Sequence, residues 1–165
     1  MKFKTTLLTL SSFALFSLVV ISCKKSNSNS SSGSVSATYG TTSFQSSNTV
    51  GVYYTTYNTF ELVGYTIASG DTTVTEVTLT SPFVLNTPIS SDTAISDLLS
   101  YYDSKGSLNY TGGYGAGNTP VIITVTSWDS VNKKIAGTFS GTLYNLSDDS
   151  VTATKGQFNL SYISE

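Results

Sequence analysis

"VIITVTSWDSVNKKIAGTFSGTLYNLSDDSVTATKGQFNLSY", residues 121–162, decides the fold. Val121, Ile123 and Val125 alternate with Ile122, Thr124 and Thr126, and the polar run "DSVNKK" follows. Ile135, Phe139 and Leu143 then share one face across small residues. After "SDDS", Phe158, Leu160 and Tyr162 face one way while Gln157, Asn159 and Ser161 face the other. Alternation with period two, broken by short polar turns, is the pattern of strands that bury one face and pair antiparallel. Gly137 and Gly141 fall on the apolar face of their strand, which predicts curvature or close approach of another layer, and Gly156 predicts a bulge.

The pattern extends upstream. "VSATYGTTSF", "TVGVYYTTY", "TFELVGYTI" and "TVTEVTLT" are rich in β-branched and aromatic residues and are punctuated by Gly, Asn and Ser, so they read as further strands. The expectation is an all-β domain over residues 35–165, an antiparallel β-sandwich of roughly seven to eight strands, with a small β-barrel as the alternative closure. One segment departs from this. In "SDTAISDLLSYYD", residues Ile95, Leu98, Leu99 and Tyr102 have helical spacing behind a Ser91 or Asp92 cap, which predicts one short helix.

Ahead of the domain, Lys2 and Lys4 precede an apolar stretch from Leu7 to Ile21, the layout of a signal peptide over residues 1–22. The stretch is shorter than the roughly 20 apolar residues that span a bilayer. Val20-Ile21-Ser22-Cys23 resembles the lipobox of bacterial lipoproteins, and Cys23 is the chain's one cysteine. The resemblance implies acylation of Cys23 and a membrane partner, with two or three acyl chains anchoring stably where one would bind only marginally. Lys24 beside it implies forwarding to the outer membrane, on either its periplasmic or its cell-surface face. The run "SNSNSSSGS" from Ser26 to Ser34 reads as a flexible tether. Residues 24–34 then have a coil reach of about 18 Å.

The stretch from residue 120 to 163 also resembles a family of small Bacteroidota lipoproteins. Their last hairpins carry an isoleucine-threonine strand, an Asp-Asn-Lys turn, a Gly-Thr-Phe-Ser-Gly-Thr strand and a terminal Gly-x-Phe. Those motifs are structural, and the resemblance implies fold and compartment without an activity.

Composition narrows the chemistry. The chain has no histidine. All eight of its basic residues are lysines, so Ser-His-Asp and Cys-His machinery, His-containing zinc sites and bidentate arginine clamps are excluded. Removal of residues 1–22 leaves six lysines against ten acidic side chains, 6 − 10 = −4, which disfavours nucleic acid as a partner. No cofactor and no catalysis are predicted. Ser130-x-x-Lys133 matches the Ser-x-x-Lys of penicillin-interacting enzymes only in a predicted turn, without its companions. Asp148 and Asp149 lack the ligand series of a calcium loop. Glu61, Glu76, Asp103 and Asp129 are the carboxylates from which a glycosidase pair would be drawn.

Two sets of residues are candidates for recognition or modification. The glycine-rich "YTGGYGAGN" presents Tyr110, Tyr114 and Asn118 as a ligand loop in which tyrosines supply rigid amphipathic surface and Asn and Gly adapt. The alternative is a loop whose tyrosines cover the core. Thr72, Thr93, Ser130 and Ser150 each follow an Asp and precede a small or apolar residue. They resemble O-glycosylation sites of exported Bacteroidota proteins, against the ordinary preference of Asp and Ser for turns. The resulting expectation is a lipid-anchored envelope protein with a non-catalytic domain that binds a glycan. Second is a scaffold that recognises another envelope protein, and third a carboxylate-dependent hydrolase.

Overall fold

The computed structural model describes residues 33–91, 98–113 and 120–165. Cys23, Thr93, Tyr114 and Asn118, with Ile95 of the expected helix, lie outside the described residues. The fold is all-β. The strands are β1 (Ser34–Tyr39), β2 (Thr42–Ser46), β3 (Asn48–Tyr54), β4 (Thr59–Ala68), β5 (Asp71–Thr80), β6 (Ile89–Ser90), β7 (Leu98–Asp103), β8 (Leu108–Gly113), β9 (Ile122–Asp129), β10 (Lys134–Tyr144), β11 (Ser150–Ser161) and β12 (Ile163–Ser164).

All twelve belong to one hydrogen-bonded sheet, ordered β12-β3-β4-β5-β7-β8-β10-β11-β1-β2, with β9 beside β10 and β6 beside β9. The count exceeds the seven or eight expected because β6 and β12 are two-residue strands, residues 35–44 hold two strands, and β7 and β8 form where a helix and a loop are expected. Only Ser47 separates β2, which pairs with β1, from β3, which pairs with β4. This bent strand joins the two ends of the sheet and curls it into a half-barrel.

The curl requires layers to touch where strands cross. A Cβ on Gly64 in β4 would lie 2.5 Å from the Val35 Cβ of β1, and one on Gly51 in β3 would lie 2.7 Å from the Ser161 carbonyl oxygen. Bare backbone at these two crossings lets β1 lie on β4 and the end of β11 lie on β3.

Bulges set which side chains face inward. In β11, Val151 and Ala153 point toward the core, but beyond Lys155, whose φ is 54°, the inward set is Gly156, Phe158 and Leu160. A second irregularity, at Thr126 in β9, moves the inward set from Ile123 and Val125 to Trp128, which pairs with Ile135. The core is built from fully buried Val35, Phe60, Leu62, Leu99, Ile135 and Leu160 among others.

The expected helix is not formed over its described part. Leu98 to Asp103 is strand β7, paired on one edge with β5 and on the other with β8. Leu99 and Tyr101 are buried while Leu98 and Ser100 are half-exposed, so the period there is two. Two flanking strands satisfy every backbone group that a helix would have satisfied internally.

Candidate functional site

Tyr110 is not a loop residue. It sits in β8 opposite Tyr101, with ring centroids 6.4 Å apart, half-buried against the core. Tyr101 stacks in turn on Tyr39 at 4.0 Å, and the Tyr39 hydroxyl lies 2.9 Å from the Thr75 hydroxyl. Burial, partly opposed by that bond, raises the Tyr39 phenol above its usual pKa. These tyrosines form part of the inner wall.

The glycosylation candidates differ in access. Ser130 and Ser150 are exposed at the edges of turns, whereas Thr72 is half-buried and its backbone N–H is bonded by Ser104 Oγ at 2.7 Å. The aspartates beside Ser130 and Ser150 are both engaged locally. Asp129 Oδ1 accepts from the Val131 and Asn132 amides at 3.0 and 2.8 Å, and the Asn132 bonds hold its carboxyl below the usual range. Asn145 ties the Asp149 turn in the same manner, accepting from the Ser147 and Asp149 amides at 2.9 Å. Among the described residues no three His, Cys, Asp or Glu side chains come together as a metal site.

The arrangement best suited to a ligand lies on the outer face of β3, β4, β5, β7 and β8. Directly paired residues share a face, so the register builds three rows across these strands. One row runs Asn48, Tyr65, Val74, Tyr102, Asn109. The next runs Val50, Val63, Glu76, Ser100, Thr111, and the third Val52, Glu61, Thr78, Leu98, Gly113. Tyr54 stands one row further along β3. Val63 and Val74 are buried yet lie outside the main core cluster, so they form an apolar floor between the polar groups.

Glu61 and Glu76 occupy diagonal positions on adjacent strands in the middle of this face. The Tyr54 hydroxyl donates to Glu61 Oε2 at 3.2 Å, and the Thr78 hydroxyl donates to Glu76 Oε1 at 3.4 Å. Burial first, and the Glu61 charge second, raise the Glu76 carboxyl above its ordinary pKa. Burial, then the charges of Glu61, Glu165 and Glu76, likewise raise Tyr54. All three glutamates of the chain therefore act on one tyrosine, and strands β3, β4, β5, β7 and β8 carry no lysine to balance them. Tyr102 is 38% exposed. Tyr65 and Tyr102 flank Val74 and so stand two strand spacings apart, about 9.6 Å.

Sequence reasoning named Glu61 and Glu76 but gave no reason to join them, since fifteen positions separate them along the chain. It assigned Tyr102 to a helix and passed over Tyr65. The signal that could have found the face is the alternation of "ELVGY" and "VTEVT", which puts each glutamate on the non-core side of its strand. No family model, curated protein or solved structure matches this chain.

Proposed function

We propose that the chain is a lipid-anchored envelope protein, acylated at Cys23 in the outer membrane, whose β-domain binds a neutral glycan without chemistry on it. The outer face of β3, β4, β5, β7 and β8 is the binding surface. The supporting observation is the juxtaposition of Tyr54, Tyr65 and Tyr102 with two acceptor carboxylates, Glu61 and Glu76, over an apolar floor. Tyrosine rings offer flat apolar surface to a sugar ring with little entropy lost. Carboxylates accept from sugar hydroxyls through charge-assisted bonds. The same carboxylates repel uronates and other acidic sugars.

Thermal unfolding with dextran and with polygalacturonate tests this, because a ligand that binds only the folded state raises the melting temperature. A saturable rise with the neutral polymer, absent with the acidic one and lost in Tyr102→Ala and Glu61→Gln, is the expected result. A rise that survives Tyr102→Ala would refute the site. No shift across a panel of neutral polymers would favour the scaffold reading and direct the search to crosslinked envelope proteins. One observation favours the hydrolase reading, the diagonal Glu61–Glu76 pair with a raised Glu76. New reducing ends released by wild type and not by Glu76→Gln would establish it.

A further inference from the structure

Strand directions give the half-barrel two unlike ends. At one end lie the β3–β4 turn, the 81–88 segment and the β9–β10 turn, each carrying exposed apolar side chains. Tyr57 is 74% exposed, Val84 69% and Val131 86%, with Leu85 beside Val84. The three segments are locked together. The Ser81 amide donates to the Asn58 carbonyl at 2.6 Å, Phe83 packs 5.2 Å from Trp128, and the Tyr162 amide donates to the Lys133 carbonyl at 2.9 Å. Trp128 stands at the rim, 37% exposed, with its indole N–H donated to the Tyr162 hydroxyl at 2.8 Å and its edge against Phe60 at 5.9 Å. The Lys133 ammonium lies 5.7 Å over the Tyr162 ring, and Lys134 faces Asp129 across the ladder.

The opposite end has a different character. Its turns are built from Gly40, Ser69-Gly70, residues 104–107 and residues 145–149, and Asp71, Asp103, Asp148 and Asp149 stand there against Lys105. Exposed Ile67, Leu108 and Leu146 are the apolar side chains there.

The chain joins the domain at the apolar end. Ser34 opens β1 opposite Asn159, and a Cβ on Gly33 would lie 2.5 Å from that of Leu160, two residues before Tyr162. Gly33 lies ten positions beyond Cys23, a distance that no conformation lets exceed about 36 Å. The twelve residues of β11 span about 40 Å from end to end. A link no longer than the domain keeps the rim, where the chain enters, within reach of an acylated Cys23.

We infer that this rim is a membrane-docking surface, in which Tyr57, Val84, Leu85, Trp128 and Val131 enter the lipid interface while Lys133 and Lys134 meet the headgroups. The inference rests on the Cys23 anchor proposed above. Tryptophan, tyrosine and lysine are the residues that favour the boundary between acyl chains and headgroups. An exposed apolar cluster that would be a liability on a free domain is covered when the domain sits down on the membrane. The outer face of β3, β4, β5, β7 and β8 then stands upright and open to glycan.

Trp128 is the only tryptophan, so its emission reports the docking. The full chain, carrying its lipid, is reconstituted on phosphatidylcholine–phosphatidylglycerol vesicles containing a lipid with a spin label high on its acyl chain. Flotation reports the anchor and Trp128 quenching reports the rim. The expected result is flotation with emission lowered on the order of two-fold, matching a burial of about 5–10 Å. Val131→Asp with Leu85→Asp should still float and should lose most of the quenching. Both positions are surface-exposed, and an unchanged melting temperature checks the fold. Flotation with Trp128 unquenched would overturn the docking and spare the anchor. Quenching unaffected by the two aspartates would overturn the assignment to this rim. Absence of both flotation and quenching would overturn both readings.

Discussion

Substituting Gly64 by alanine tests whether the first strand lies directly on β4. The added Cβ would meet Val35 Cβ at 2.5 Å, Cγ2 at 3.0 Å and Cγ1 at 3.2 Å. Optimal carbon–carbon separation is about 3.5–4.0 Å, so β1 and β4 must part by about 1 Å, or Val35 must leave its rotamer. Val35 is fully buried and paired on both sides, to Phe158 and to Ser46, so neither adjustment is easy. Overpacking of this kind costs about 1–3 kcal/mol. A gain of about 0.4–1 kcal/mol from a stiffer unfolded chain offsets it. A net loss of about 1–2 kcal/mol is expected by urea unfolding followed through Trp128 emission, with the slope of the transition unchanged. In a Val35→Gly background the clashing methyls and Cβ are gone, so Gly64→Ala should keep only the gain of about 0.4–1 kcal/mol. The cycle then reads a coupling equal to the overpacking cost, about 1–3 kcal/mol. Equal losses in the two backgrounds would refute the crossing of β1 over β4.

Leu98 and Leu99 separate strand from helix in the segment that sequence spacing assigns to a helix. Leu99 is fully buried and Leu98 half-exposed on the outer face, so Leu99→Ala should cost about 2–5 kcal/mol and Leu98→Ala well under half of that by denaturant melt. Comparable losses would restore the helix. The second test concerns Glu76, whose carboxyl is raised in the folded state by burial and by Glu61. The folded protein then binds this proton more tightly than the unfolded chain, so stability falls as pH rises from the unfolded value through the folded one. Glu76→Gln should raise the melting temperature at pH 7. The difference should shrink as the pH drops to the ordinary glutamate range. A variant less stable than wild type at pH 7 would overturn the burial argument.

Much of the fold is legible in the alternation. The stretch 121–162 shows its strand–turn–strand order because each strand has one wet and one dry face, and a period of two survives in the sequence wherever that holds. The bulges are legible as well, once the slips are noticed. Apolar positions pass from Val151 and Ala153 to Phe158 and Leu160, and from Ile123 and Val125 to Trp128. Tyr110 defeated the reading because glycines around it resemble a loop, while pairing to β7 on one edge makes the segment a strand. The candidate site was the least legible part, since Tyr54, Tyr65, Tyr102, Glu61 and Glu76 come from four strands.

The sequence by itself determined the β class, the positions of most turns, the exclusion of histidine and arginine chemistry, and the expectation of an anchored cysteine. These follow from local composition and spacing, which act within a few residues. The tertiary structure decided that Leu98 to Asp103 is a strand, because only two flanking neighbours supply its hydrogen bonds. It also decided that the sheet curls through Ser47 into a half-barrel, that the glutamates meet beside Tyr54, and that the apolar turns gather at the end where the chain joins the domain. Register and crossing bring together residues that the chain holds far apart, and no pattern along one strand encodes which other strand will lie beside it.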